Sequence, residues 1–522
     1  MPRFGIQRYH VDSFAAGLDV RTTPLRVATT GGAKKGDRLT IADDMKYTVE
    51  GGVTKRFGTV VTGTNVSSPI VGGVQYRKSN GDEHIVFGTL NGRLYDQHAD
   101  GTVTQIASGL STNANVRYRF AIYNDLLHIT NGYDTPLYWD GITPGPVVIP
   151  TVPAPHATTG QVIVAHADRL FMTARDSSTL RWSKLNNSLD WSGTTDAGSM
   201  EVQPQDNSVL IDLVASIQEL VLLKGNRAYR LQGIGPATGY TIADHLVPTT
   251  GSVGAISTMG AQFALNNVWY VSGLGLHGLE QTQQFGDLKE SFVSDNVEPY
   301  FRLNSPQSLA LNRLNMSVLR YDSGENVLYL AVDGDNDGNN DTCLVYDLLF
   351  KAWSVWHNTP WASMWVVRNS TTGAREVWAG DYTGNVRALN RAESTETITG
   401  RVAHITACGL PGVQKSPRYG FFYFNAESAG TVRITTRMDF GMVGGQAYTA
   451  PLTAGGVLWG VPTWGAFTWG SRAQTIARID MSGLGEVIET TIENIDAALP
   501  FTLLGYEYWY RDRREIRRPL NA

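Results

Sequence analysis

The sequence predicts an all-β protein: a β-propeller followed by a C-terminal β-sandwich, with an extended N-terminal lead-in. Three observations predict it. A strand–turn–strand unit recurs through the middle of the chain, alternation of period two replaces any sustained helical periodicity, and 55 Gly, 22 Tyr and 13 Trp accompany only 17% charged residues. That composition suits many tight turns and aromatic cross-strand pairs.

The clearest unit is residues 327–356, VLYLAVDGDNDGNNDTCLVYDLLFKAWSVW. Val327, Tyr329 and Ala331 share one face of a strand, and Leu328, Leu330 and Val332 share the other. An acidic Gly/Asn turn follows, then a strand from Cys343 to Tyr346, a second turn at 347–351, and a third strand bearing Trp353, Val355 and Trp356. A unit of this kind cannot bury both faces alone, so it requires similar neighbours stacked against it. Residues 85–106, 126–149, 169–191, 220–235, 268–281 and 376–390 repeat the pattern of apolar strand, Gly/Asn/Asp turn and aromatic-bearing strand. These read as the inner strands of propeller blades, with irregular spacing that leaves blade number open.

The domain boundaries follow from shifts in pattern. Residues 1–65 form the lead-in of weak strands and 66–392 the propeller, which ends where polar LNRAESTETITG at 389–400 replaces the aromatic alternation. Within the propeller, Pro-rich 152–160 reads as an exposed blade-to-blade crossing, and 294–315 alone has helical character. Residues 401–510 alternate again and predict the sandwich, and 511–522 is an Arg-rich tail. Inside the sandwich, 456–470 carries Trp459, Trp464 and Trp469, each followed by Gly. Such a segment is either a bent loop covering a sheet edge or a contact patch for a neighbouring subunit. The tail RDRREIRR reads either as a solvated terminus or as a docking segment for an acidic surface.

Charge and cysteines narrow the function classes. A formal net charge of -5 argues against a general nucleic-acid binder, which carries a basic excess. The two cysteines, Cys343 and Cys408, form no disulfide framework, which points to synthesis in a reducing compartment. Arg3, Arg8 and Asp12 stand where a signal peptide needs an apolar core, and no apolar run approaches the roughly 20 residues of a membrane-spanning helix. The expectation is a chain made in the cytoplasm and not inserted in a membrane by a helix.

Two stretches resemble one family. GLDVRTTPLRVA (17–28) followed by ADDMKYTVEGGVTKRFGT (42–59), with Gly51, Gly52, Lys55, Arg56 and Gly58, resembles the opening of the tail hub or nozzle proteins of short-tailed bacteriophages. It departs from that pattern at Lys46 and Tyr47, where the family often carries Asn. The C-terminal combination of a Trp-Gly-rich loop, FTLLGYEYWY (501–510) and Arg511, Arg513, Arg514, Arg517 and Arg518 is similar to the same family. The resemblance implies a virion structural protein, assembled in the host cytoplasm, that forms a homohexameric ring below the portal and its head–tail adaptor and extends the channel for genome ejection. Its further neighbours would be tail fibres or spikes, and genomic DNA would pass the lumen without specific binding. Few Lys/Arg contacts mean little counterion release to hold DNA. The alternative reading is a carbohydrate- or receptor-binding propeller of a tail.

The sharpest chemical motif is Asp333-x-Asp335-x-Asp337-Gly338-Asn339-x-Asp341. A hard divalent cation takes six to eight oxygens, and carboxylates at alternate positions around a Gly-permitted turn converge on one point, with the Asn339 carbonyl as a further ligand. Leu344 stands where an EF-hand has its bidentate Glu, so the loop resembles the calcium loops in β-hairpins of integrin-type propellers instead. A structural Ca2+ is the expected occupant, against an acidic surface turn without one. No catalytic setting stands out: the ten histidines are scattered without HExxH, and no GxSxG occurs. The expectation is no enzyme, a propeller glycosidase being the best enzymatic alternative.

Overall fold

A computed structural model describes the chain apart from residues 1–4, 30–36, 193–195, 218, 233–245, 249–252, 282–287, 370–371, 410, 426–429, 442, 453–473, 497–498 and 514–522. The chain is all-β and divides into two compact units, one of residues 60–343 and 358–389, the other of 1–59, 344–357 and 390–522.

The first of these is a β-propeller. Among the described residues its innermost strands are seven: Ile70–Arg77, Arg119–Tyr123, Gly160–His166, Leu210–Ala215, Ala261–Ala264, Val318–Asp322 and Trp361–Arg368. Each packs on the next, and the seventh packs back on the first, so the ring closes. Outward from them run antiparallel meanders, as in the first sheet, which continues through Glu83–Thr89, Arg93–Gln97 and Val103–Ala107. The sixth blade contributes Val318–Asp322 and Val327–Val332 to this unit. The seventh is completed by a strand from far upstream: Trp361–Arg368, Arg375–Asp381 and Val386–Arg391 are followed in sheet order by Gly58–Thr62.

Apolar side chains fill the seams between blades. Phe171, Leu180 and Trp182 of the third sheet meet Leu213, Leu220, Leu222 and Leu231 of the fourth. At the closing seam Trp365, Val367 and Val386 meet Ile70, Phe87 and Tyr95. Burying each such side chain contributes roughly 1.5–3 kcal/mol, so the seams supply the main cohesion. Two three-residue-per-turn helices, Asp295–Phe301 and Leu311–Met316, join the fifth and sixth blades where helical character was expected.

The recurrent stretches read from the sequence as inner strands are instead the second and later strands of each blade. Leu126–Thr130 pairs outward from Arg119–Tyr123, and Arg169–Ala174 outward from Gly160–His166. The reason is crowding. Middle strands are covered on both faces and become continuous apolar runs, all six residues of Arg169–Ala174 being buried. Inner strands approach their neighbours closely at some positions, where small residues are needed: a Cβ on Gly72 would lie 2.4 Å from the Tyr118 carbonyl oxygen.

The other unit is a β-sandwich built from both ends of the chain. One sheet runs Met45–Tyr47, Val53–Lys55, Thr502–Arg513, Gln414–Asn425 and Gln474–Asp480, with Gln7–Val11 also paired to Thr502–Arg513. The other includes Ala352–Trp356, Leu39–Asp43, Arg401–Thr406, Ile488–Asn494, Thr431–Met438 and Val443–Pro451 in that order. Their facing sides bury Phe14, Phe422, Tyr506 and Tyr508, with the Tyr506 hydroxyl on His404 Nδ1 and the Tyr508 hydroxyl on Thr490.

The division at residue 65 is therefore corrected: Gln7–Val11, Leu39–Asp43, Met45–Tyr47 and Val53–Lys55 are sandwich strands, because short strands hold only when their backbone N–H and C=O groups find a ladder. The tail starts later than 511, since Arg511, Asp512 and Arg513 pair with Ser416, Lys415 and Gln414. Arg514, Arg517, Arg518 and the tryptophans at 459, 464 and 469 lie outside the described residues.

At the closing seam a Cβ on Gly380 would sit 2.4 Å from Ile70 Cγ2, whereas one on Gly273 would meet nothing within 4 Å. Gly380→Ala is expected to destabilise the protein by about 1–3 kcal/mol in urea titration, and Gly273→Ala to change it by no more than about 0.5 kcal/mol. Equal stabilities would show that the seam tolerates the added methyl.

Candidate metal centre

The acidic turn leaves the sixth blade after Val327–Val332 and returns at Thr342–Asp347. It is tied down by its own polar groups. Asp333 Oδ1 accepts the Asn336 N–H at 2.6 Å and Oδ2 the Gly338 N–H at 2.9 Å. Asp341 Oδ1 accepts the Gly334 N–H at 2.8 Å. Asn336 and Gly338 take left-handed φ values of 66° and 98°, which Asn and Gly adopt at least cost. Around the turn, Arg313 Nη2 donates to the Gly338 carbonyl at 2.8 Å. Asn340 is buried, its N–H donating to the Tyr382 hydroxyl at 3.0 Å and its side-chain amide to the Met316 and Trp361 carbonyls.

Of the five residues expected to ligate, three converge: one carboxylate oxygen from each of Asp333, Asp335 and Asp341 lies within 4.8 Å of the others. Asp337 is not among the three. Asp337 is exposed and accepts the Asn339 N–H at 2.7 Å and its side-chain amide at 3.2 Å, so the two residues satisfy each other. Asp333 is buried, and burial pushes its carboxyl above the ordinary range; its two N–H bonds oppose this, while the Asp337 and Asp341 charges add to it. An all-oxygen set of three clustered carboxylates fits a hard divalent cation and does not fit a soft one.

A second charged constellation lies on the ring axis, and no sequence motif marks it. Arg119, on the second inner strand, reaches past the third to Asp212 on the fourth, with Nη2 2.9 Å from Oδ1 and Nη1 3.4 Å from Oδ2. Its Nη1 also donates to the Thr258 carbonyl. Arg320, on the sixth, donates from Nε to the Met364 carbonyl at 3.1 Å and from Nη1 to Gln262 Oε1 at 2.9 Å. Two residues before Arg119, the buried Arg117 donates to the Val116 carbonyl at 2.7 Å and contacts Met316 Sδ at 3.0 Å. Burial pushes the Asp212 carboxyl up to about 7, with the Arg119 guanidinium pulling the other way, and lowers Arg320 to about 10.

Two buried histidines of the propeller, His128 and His277, are lowered by burial to about 3 and about 4.

In chelator-treated buffer, Asp335→Asn is expected to raise the melting temperature. It removes one of three clustered charges, and Asn keeps an acceptor for the Asp337 N–H that Asp335 now takes at 3.0 Å. Repulsion at this separation is on the order of 1 kcal/mol in water-like surroundings. Asp337→Ala is expected to stay within about 0.5 kcal/mol of the parent. Calorimetry on the two variants checks both, and a lowered melting temperature for Asp335→Asn would show that the carboxylates do not repel.

No protein-family model and no curated protein matches this chain. Among solved structures, the computationally designed Ika8 protein matches 64% of this chain and 100% of its own at 12% identity and a TM-score of 0.37. YCF48 from Cyanidioschyzon merolae matches 65% and 100% at 11% identity and a TM-score of 0.42, and YCF48 bound to D1 peptide matches 64% and 94% at 12% and 0.40.

Proposed function

We propose that this chain is a structural protein of a short-tailed phage virion, a tail hub or nozzle. Copies form a homohexameric ring under the portal-adaptor and extend the genome-ejection channel, with tail fibres or spikes as further neighbours. One observation carries the reading: the two stretches that resemble that family, more than 400 residues apart in the chain, are partners in one sandwich. Thr502–Arg513 pairs with Val53–Lys55, and the Lys55 N–H donates to the Phe501 carbonyl at 3.1 Å. Arg56 Nε bonds Asp44 Oδ1 at 2.6 Å, and a Cβ on Gly52 would lie 2.7 Å from the Leu503 carbonyl oxygen. The motif residues at both ends thus have a shared structural reason to occur together.

The ring axis bears on where DNA passes. Arg119 and Asp212 join across it, so a duplex runs between copies of the chain and not through a single propeller. A closed ring of short, protected strand edges suits a load-bearing tube. The acidic turn is proposed to hold a structural Ca2+ on Asp333, Asp335 and Asp341, which would pin the hairpin of the sixth blade; when bound, the ion supplies charge neutralisation and no reaction step.

Negative-stain imaging of the purified protein alone or with its adaptor is expected to show six-fold rings, with little duplex DNA retained at moderate salt. A monomer that binds glycans would replace this reading with that of a carbohydrate-binding propeller. For the cation, Ca2+ at about 100 times its dissociation constant is expected to add about 2.7 kcal/mol of stability, an increment that Asp333→Ala abolishes. Calorimetric curves identical with calcium and with chelator would exclude the ion.

A further inference from the structure

The axial network is unbalanced in charge. Arg119 and Arg320 face one carboxylate, Asp212, which is fully buried and already takes both Arg119 Nη groups. Arg320 makes its bonds from Nε and Nη1 to a carbonyl and a neutral amide, and among the described residues no acceptor bonds its Nη2 or the Arg119 Nε. Two guanidiniums against one carboxylate, Arg119 and Arg320 against Asp212, leave a net positive charge that is costly to hold in a protein interior. Neutral acceptors such as the Met364 carbonyl and Gln262 offset only part of this. The network is reachable from solvent, since the Arg119 side chain keeps 18% of its exposure.

We propose that the axis of the propeller is an anion site, in which a small oxyanion of the phosphate class bridges the Arg119 and Arg320 guanidiniums. The planar fork of a guanidinium matches two oxygens of such an ion, and its N–H donors left over from Asp212, Gln262 and Met364 are the ones free to donate. Asp212 is a positioning residue: by taking both Arg119 Nη groups it fixes that side chain across the axis and leaves Nε for the ligand. The anion would neutralise the excess charge and join the second blade to the sixth, adding a cross-ring tie to the seam packing.

The test uses the full chain in chelator-treated buffer, titrated with inorganic phosphate against chloride at equal ionic strength, with melting temperature and calorimetric binding read together. A saturable rise in melting temperature with one phosphate bound per chain is expected. Arg320→Met, which removes the charge but keeps much of the volume, is expected to bind phosphate at least tenfold more weakly and to melt no lower than the parent without phosphate. Phosphate also stabilises proteins generally by exclusion from their surface; that part does not saturate and should persist in the variant. Should Arg320→Met fail to fold, Arg320→Lys keeps the charge and loses the fork, and is expected to weaken binding by the same direction of change. Absence of saturable binding by the parent, or equal binding by parent and variant, would overturn the proposal.

Discussion

Closure of the propeller is the constraint on which the remaining structure depends. A blade has two apolar faces and no means of covering them alone, so each of the seven inner strands needs a neighbour on both sides. The seam where Trp365 and Val367 pack on Ile70 and Phe87 is where the last blade meets the first, and it has the same apolar character as the seams between consecutive blades. Completion of the seventh sheet by Gly58–Thr62 makes closure a long-range event. Asn65 Nδ2 donates to the Thr383 carbonyl at 3.0 Å, and the Val66 N–H to the Gly384 carbonyl at 2.9 Å, so the upstream segment stays fastened beyond the strand itself. Joining chain segments this distant carries a loop-closure cost that grows slowly with length, and the seam offsets it by burying large side chains.

The same geometry decides where polar groups go. Between blades there is room for Phe, Trp and Leu. At the axis the inner strands converge, large apolar side chains from all of them do not fit, and Asp212, Gln262 and Ser363 are among the residues they carry there. Arginines entering this space can reach across it, which is how Arg119 meets Asp212. At the outer turn of the sixth blade the situation reverses: carboxylates cluster where the backbone N–H groups of Asn336, Gly338 and Gly334 already solvate them.

How much was legible follows from how local each feature is. The acidic turn stood out because its residues lie within nine positions, and Asp333, Asp335 and Asp341 do converge. Asp337 was read into the same set because alternation along a loop does not reveal that its carboxylate accepts from the Asn339 N–H and side-chain amide. The blades were visible as repeats, yet the repeat marked the doubly covered second and third strands, whose apolar runs are the most regular part of each sheet. The axial network left no trace, because Arg119 and Asp212 stand 93 residues apart and each looks like an ordinary polar residue in a strand.

By itself the sequence determined the all-β class, the presence of a propeller and a sandwich, and the position of the acidic turn, since alternation, turn residues and clustered carboxylates are properties of neighbouring positions. Only the tertiary structure decided the seven-fold closure, the placing of residues 7–11, 39–43 and 53–55 within the sandwich, and the meeting of Arg119, Asp212 and Arg320 on the axis. The physical reason is that strand pairing is satisfied by any backbone ladder with matching faces. Which distant segment supplies that ladder depends on how whole sheets pack, and no local pattern encodes it.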